Sequence, residues 1–315
     1  MIDLALSLFN ILIFPGFLFL SLASLVFEYF DRKIYARLQN RVGPHWYQPL
    51  ADVIKLFSKE TVLPEEADPK IFSAIPLFAL ASTYSAFLYI PIWRLSSLYF
   101  FESDLIVVIY FLTIPTLTFF LAGWFSSSLY AEIGAIRAMT QLFAYEVPFY
   151  MALLGPALLA GTWSISGIAQ FYHDNPLLLL LNLPAFGVSL ITAQGKLERA
   201  PFDIPDAETE IVGGTFTEYS GRLLGMFKMS LGAELIVVAS LIAAVFFPLS
   251  VTNPILGFLL YLAEVFVVIF LLSLMKAALA RMRMDQMVDF CWKILTPIAL
   301  GQILIDLIIK GVLPR

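Results

Sequence analysis

The chain has 315 residues, 60% of them hydrophobic and 14% charged, with mean hydropathy +0.87 and formal net charge −5. A soluble domain carries about 25% charged and about 45–50% apolar residues, so this composition excludes a water-soluble globule and makes the bilayer the solvent. No basic domain exists to bind nucleic acid, and one cysteine (Cys291) with two isolated histidines (His45, His173) offers neither an internal disulfide nor metal-ligand spacing.

The N-terminal run is apolar from Leu4 to Phe27 and lacks the leading positive charges of a signal peptide. It reads as a retained first span. A spanning helix needs about 20 mostly apolar residues, and eight segments qualify, near 4–27, 71–93, 105–125, 147–168, 176–194, 233–251, 255–275 and 294–312. Pro15, Pro76, Pro115 and Pro156 fall inside these runs. Neighbouring helices can re-satisfy the carbonyls that proline frees, so the runs are kept as spans. The expectation is an all-α polytopic membrane protein, one transmembrane domain over 1–315 with about eight helices. Its cytoplasmic connections lie near 28–70, 126–146, 195–232 and 276–293. That orientation follows from the basic residues. The first connection holds Arg32, Lys33, Arg37, Arg41, Lys55, Lys59 and Lys70; later odd connections hold Arg137, then Lys196, Arg199, Arg222 and Lys228, then Lys276, Arg281, Arg283 and Lys293. The even connections hold only Arg94, so the positive-inside rule places both termini on the outer side of the plasma membrane.

Within the first connection, Leu50, Val53, Ile54 and Phe57 recur at helical spacing over 49–60, with Asp52, Lys55 and Lys59 on other faces. This predicts a short amphipathic helix, either in the lipid interface or packed on a partner. The basic stretch 31–44 can grip lipid headgroups or pair with acids elsewhere in the chain.

The fifth connection is the most unusual. Glu198, Asp203, Asp206, Glu208, Glu210 and Glu218 fall within 21 residues, opposed by Lys196, Arg199 and Arg222. Pro201 and Pro205 disfavour a long helix there, while Phe202, Ile204, Ile211, Val212 and Phe216 call for a packing surface. Two readings stand: a solvated acidic loop, or a partly buried carboxylate cluster in which some pKa values rise, so that a group can load and release protons near neutral pH. Four more acids lie in or beside spans. Glu146 and Glu234 are placed at the start of the fourth and sixth spans, where a helix dipole favours them. Glu264 lies mid-span in the seventh, where an acid costs about 2.5–3.5 kcal/mol to insert, and intramembrane acids are functional by default. Asp306 lies near the outer end of the eighth and is expected to snorkel to the interface.

Four segments carry a resemblance. They are Arg37-x-Gln39-x-Arg41-Val42-Gly43-Pro44 with Asp52, Lys55-Leu56 and Lys59-Glu60; Gly123-Trp124 through Gly134-Ala135-x-Arg137-Ala138 to Ala144-Tyr145-Glu146; Arg199-Ala200-Pro201-Phe202-Asp203 with Glu208-Thr209-Glu210 and Glu218-Tyr219; and Arg281 to Asp285 with Trp292-Lys293 and Pro297. The chain resembles the membrane subunit shared by respiratory complex I (the bacterial H-type and mitochondrial ND-one subunits) and the energy-converting nickel–iron hydrogenases. The resemblance implies eight spans and cytoplasmic loops that cup the end of the redox path. It also implies an acidic route into the membrane, matched here by Glu146, Asp203, Asp206, Glu208, Glu210, Glu218 and Glu234; Glu264 is added on its position alone. Arg37, Gln39, Arg41, Arg199, Arg222, Arg281 and Arg283 are expected to face the redox arm.

The sequence also departs from complex I. His45-Trp46-Tyr47 runs straight into Gln48-Pro49, a shorter loop than the quinone-framing one, and Lys196 and Glu198 replace an expected acid and asparagine. The compact form looks like the hydrogenase branch, with a sulfur-reducing sister complex beside it. The implied partners are a nickel–iron hydrogenase-like large subunit, an iron–sulfur small subunit, antiporter-like membrane subunits and lipid. The nickel–iron centre and iron–sulfur clusters would sit in those partners, fed by ferredoxin. Three rival readings are a quinone-reducing pump, a stand-alone secondary transporter and a passive anchor.

Overall fold

The computed structural model describes residues 2–93, 95–205, 207–251 and 253–312, with the side chains of 2–4, 208, 209 and 312 left out. Among the described residues there are helices, turns and loops but no strand. The first run folds as α1 (Ile2–Leu12) and α2 (Phe17–Leu38), broken at Ile13–Gly16 around Pro15. A proline has no N–H to give, and a side chain at Gly16 would collide with the Ile11 carbonyl at 1.8 Å, so the chain turns tightly there. The predicted amphipathic helix is present as α3 (Gln48–Ser58), followed by α4 (Pro69–Phe87) and α5 (Asp104–Trp124). Asp68 caps α4 by accepting from the amides of Lys70 and Ile71. Pro76 and Pro115 are carried inside α4 and α5.

The fourth span departs most from expectation. It is α6 (Leu129–Ala160), 32 residues that begin well before 147 and replace most of the expected connection 126–146. At 1.5 Å per residue it is about 48 Å long, more than the ~30 Å hydrocarbon core. Its first eighteen residues carry Glu132, Arg137, Gln141 and Glu146, which lower the hydropathy there and hide that part from a hydropathy window. On the far side, α7 (Ile165–Asp174) is a short helix that the apolar runs did not predict. It buries Ile165, Ile168, Ala169 and Tyr172, one face at helical spacing.

The expected fifth span is an interrupted helix: α8 (Leu177–Leu181) and α9 (Leu183–Lys196) meet at Asn182. It still returns the chain across the bundle. Asn182 lies beside Gly155 of α6, and Gly195 accepts a 2.7 Å hydrogen bond from Gln141, an earlier residue of the same helix. The remaining helices are α10 (Glu208–Ile211), α11 (Gly221–Phe246), α12 (Pro254–Ala278), α13 (Met284–Phe290) and α14 (Thr296–Val312). α13 and α14 join through a wider-wound turn at Cys291–Leu295. Among the described residues, seven helical segments are long and apolar enough to cross a membrane; the α8–α9 pair, expected as one span, is in two pieces and is not among them.

α11 is the hub. It packs on α2, α3, α4, α7, α9 and α12, and nearly all its residues from Ala233 to Phe246 are buried. The four basic connections gather at one face: Val62 bonds Ser220, Met282 bonds Pro201, and Glu210 meets both Arg137 and Arg281. That convergence agrees with the predicted alternation of odd and even connections. Arg94, on which the even side of that bias rested, lies outside the described residues.

Candidate functional site

The fifth connection packs as the aromatic content required. Phe202, Ile204, Ile211 and Phe216 are buried, whereas Val212 is 59% exposed. The connection closes on α6 at Gly134, where an added Cβ would lie 2.7 Å from the amide nitrogen of Thr215. Its described acids do not form one sequestered cluster. Glu210 has a side chain 51% exposed and sits between Arg137 at 2.6 Å and Arg281 at 3.5 Å. The hydrogen bond from Arg137, then the charge of Arg281, hold its carboxyl below the ordinary glutamate value. Of the two readings of the connection, Glu210 fits the solvated one. Asp203 and Glu218 are half-buried. Asp206 and the side chain of Glu208 lie outside the described residues.

The arginines divide. Arg37, Arg41, Arg222, Arg281 and Arg283 are exposed on the basic face, as is Gln39. Arg199 instead turns inward and pairs with Asp31 of α2 at 2.9 Å, while Ser273 of α12 donates to the same carboxylate oxygen at 2.6 Å. Arg199 therefore ties the loop to α2 rather than standing free for a partner. Nearby, Arg32 pairs with Glu28 and, at 3.0 Å, with Asp52, fastening α3 to α2.

Behind the loop lies a buried ionic site that four helices build. Lys196 ends α9 with 3% of its side chain exposed, and its ammonium lies 2.7 Å from Glu234 of α11, which is 0% exposed. The same ammonium donates to the Leu112 carbonyl and, at 3.1 Å, to the Thr116 hydroxyl of α5. The ammonium thus has one ion-pair partner and two hydrogen-bond acceptors. Thr116 also meets the Tyr145 hydroxyl of α6 at 3.1 Å. One turn along, Thr113 donates to Glu146 at 2.8 Å, and Tyr150 donates to the same carboxylate oxygen. Helical spacing produces the arrangement: Thr113 and Thr116 share a face of α5, as do Glu146 and Tyr150 of α6.

Glu234 and Glu146 are not at helix starts. Glu234 is the fourteenth residue of α11 and Glu146 the eighteenth of α6, because both helices begin earlier than hydropathy indicated. A helix-dipole account of either is therefore withdrawn. Glu234 pairs with Lys196, and Glu146 sits in a neighbouring hydrogen-bonded group with Thr113 and Tyr150, one turn along α5 and α6, while Glu264 stands apart. Its carboxylate accepts the Leu249 amide at 3.3 Å, near the Tyr261–Ser240 hydroxyl pair. Among the described residues, no group of three or more His, Cys, Asp or Glu could hold a metal ion.

The profile of the NADH dehydrogenase family matches residues 9–307. The chain belongs to this family. It is 33% identical over 297 residues to the H-type subunit of the NADH-quinone oxidoreductase of Brevibacillus brevis, covering 89% of this chain and 87% of that one. It is 36% identical over 293 residues to the corresponding subunit of Syntrophotalea carbinolica, covering 87% and 88%. Among solved structures, a chain of an archaeal respiratory membrane complex, the membrane-bound sulfane sulfur reductase, superposes with TM-score 0.81 at 28% identity, over 92% of this chain and 96% of that one.

As an H-type member of the NADH dehydrogenase family, the chain is matched along nearly its whole length, as the four motif segments implied. Sequence reasoning missed Lys196 as an interior cation and missed Asp31, Thr113, Tyr145 and Tyr150. Lys196 follows a long apolar run, where a basic residue ordinarily marks the membrane boundary; only its partners reveal that it points inward.

Proposed function

We propose that this chain is the membrane subunit through which a peripheral redox reaction drives proton or sodium movement in a complex-I-like respiratory complex of the plasma membrane. The observation that carries this reading is the buried Lys196–Glu234 pair, set at the junction between the basic-face loop and the bundle interior. Reduction at a partner's site beside that loop would change the local charge. Arg137, Glu210 and Arg281 would register it first, because they lie on the exposed side. A change in their pairing would reach Lys196 through the end of α9, and the pair would redistribute charge toward Thr116, Tyr145 and Glu146. One pKa unit is worth about 1.4 kcal/mol, so a few coupled units suffice to bias a two-state element by ~5 kcal/mol.

The reading assigns electron delivery to ferredoxin and the nickel–iron and iron–sulfur centres to peripheral partner subunits, with antiporter-like subunits alongside in the membrane. A hydrogen-evolving complex is the primary reading, supported by the shortened loop after Pro44. A sulfur-reducing complex is the second, favoured by the likeness to the sulfane sulfur reductase. Neighbouring reading frames separate them: a nickel–iron large subunit retaining its four metal-ligating cysteines supports hydrogen evolution, and one that has lost them supports sulfur reduction. The coupling role is tested with Glu146→Gln and Glu234→Gln in the intact complex. Redox turnover with ion pumping abolished is expected; full pumping in both variants refutes the role.

A further inference from the structure

The second buried polar group lies far from the basic face, at the break between α8 and α9. We infer that this break, with Asp306 of α14, binds one monovalent cation, a proton or a sodium ion. The inference does not rest on the coupling role proposed above, because binding is measured at equilibrium without turnover.

A helix interrupted inside a bilayer frees a carbonyl on one half and amides on the other, and such breaks are where membrane proteins build ion sites. Here the freed Leu181 carbonyl accepts from Gln302 Nε2 at 3.1 Å. The same nitrogen lies 3.3 Å from Asn182 Oδ1 and 3.0 Å from Asp306 Oδ1. Three oxygens thus converge on an amide group with only two hydrogens, so one of the three is left short of a donor.

Asp306 is 0% exposed, and its Oδ2 has no hydrogen-bond partner among the described residues. That oxygen faces Gly155, where a Cβ would come within 2.8 Å of it, so the glycine leaves it room. No lysine, arginine or histidine among the described residues comes within 4.0 Å of the carboxylate. Lys310, one turn further along α14, is committed to the Leu158 carbonyl at 2.7 Å. The other titratable group facing the site is Tyr172. Its hydroxyl donates to the Pro156 carbonyl at 3.2 Å and accepts from Asn182 at 2.7 Å, so it has no proton left to offer. A buried carboxylate without a cationic partner is costly. A proton on Oδ2, or a sodium ion bound at that unpartnered oxygen, neutralises it. Snorkelling, the expectation from sequence, is ruled out by the complete burial of the side chain.

The test uses the intact complex in liposomes and infrared difference spectroscopy, titrating from about pH 5 to about pH 9 with choline as the counter-cation, then adding Na+. The expected result is a protonated-carboxylic-acid carbonyl band, or a Na+-dependent carboxylate change, that disappears in Asp306→Asn. A band titrating with pH and indifferent to Na+ identifies the proton, and one that Na+ removes at fixed pH identifies sodium. If Asp306→Asn does not assemble, carbodiimide modification mapped to Asp306 in the wild-type complex takes its place. It should fall at least about threefold on raising the pH by about two units or on adding Na+. An Asp306 signal indifferent to both pH and Na+ in the first experiment, or modification absent or indifferent to both in the second, overturns the inference.

Discussion

Replacing Lys196 with methionine keeps the length of the side chain and removes its charge, leaving Glu234 buried without a counter-ion. At the 2.7 Å separation observed, Coulomb's law with an effective dielectric of about 20 gives ~6 kcal/mol of attraction. Part of this is offset by the desolvation of both ions, and breaking a buried pair from one side costs about 3–5 kcal/mol. The Lys196→Met complex should therefore be strongly destabilised. The double variant Lys196→Met/Glu234→Leu removes the stranded charge with its partner, and replacement of a buried pair by apolar residues of similar volume is neutral or stabilising by about 1–4 kcal/mol. It should recover most of the loss, with a coupling of about 2 kcal/mol or more across the double-mutant cycle. Resistance of the detergent-solubilised complex to denaturation, compared for both single variants, the double variant and wild type, reads the stability. Ion pumping, measured in liposomes, should be lost in all three variants, while redox turnover persists in the double. A double variant no more stable than Lys196→Met would show that the two groups are not energetically coupled and would refute the electrostatic argument.

The Glu210 clamp has a pH dependence with a definite sign. Its folded-state carboxyl titrates below the ordinary value of 4.5 because Arg137 and Arg281 favour the anion. The clamp therefore contributes fully above that value and is lost as pH falls through the lowered one. Proteolysis of the 197–213 connection in the intact complex should accelerate on acidification through that window, and Glu210→Gln should show the acid behaviour at neutral pH. Because the pair is half-exposed, the accompanying stability change should stay under about 1 kcal/mol; equal proteolysis at both pH values and in the variant would count against the clamp. Gly134→Ala places a methyl against the backbone of Gly214 and Thr215, at 2.7–3.0 Å from three of its atoms. The strain should cost about 1–3 kcal/mol and loosen the loop from α6, seen as faster amide exchange at residues 213–217; unchanged exchange there would contradict the packing described.

The apolar runs alone located the membrane crossings, because a bilayer requires about 20 apolar residues wherever a helix faces lipid. They also separated the two faces, since the basic residues of the odd connections do end together around Glu210. Alternating proline and aromatic residues in the fifth connection foretold that it would be irregular and packed, and Phe202 and Phe216 are buried accordingly. Hydropathy could not find the start of α6, up to Glu146, because Arg137, Gln141 and Glu146 face loop and neighbouring helices rather than lipid. Nor could it reveal the break at Asn182, because the leucines on both sides satisfy either a continuous or an interrupted helix.

Which way each intramembrane polar side chain points was decided by tertiary structure. Lys196 finds its partners 38 residues onward in Glu234 and 84 residues back in Leu112. Asp31 finds Arg199 and Ser273 at separations of 168 and 242. A helix can satisfy its own backbone anywhere in the bilayer, so the local sequence leaves its rotation about its axis open. Packing against helices distant in the chain sets that rotation, and with it whether an acid meets lipid, water or a buried base.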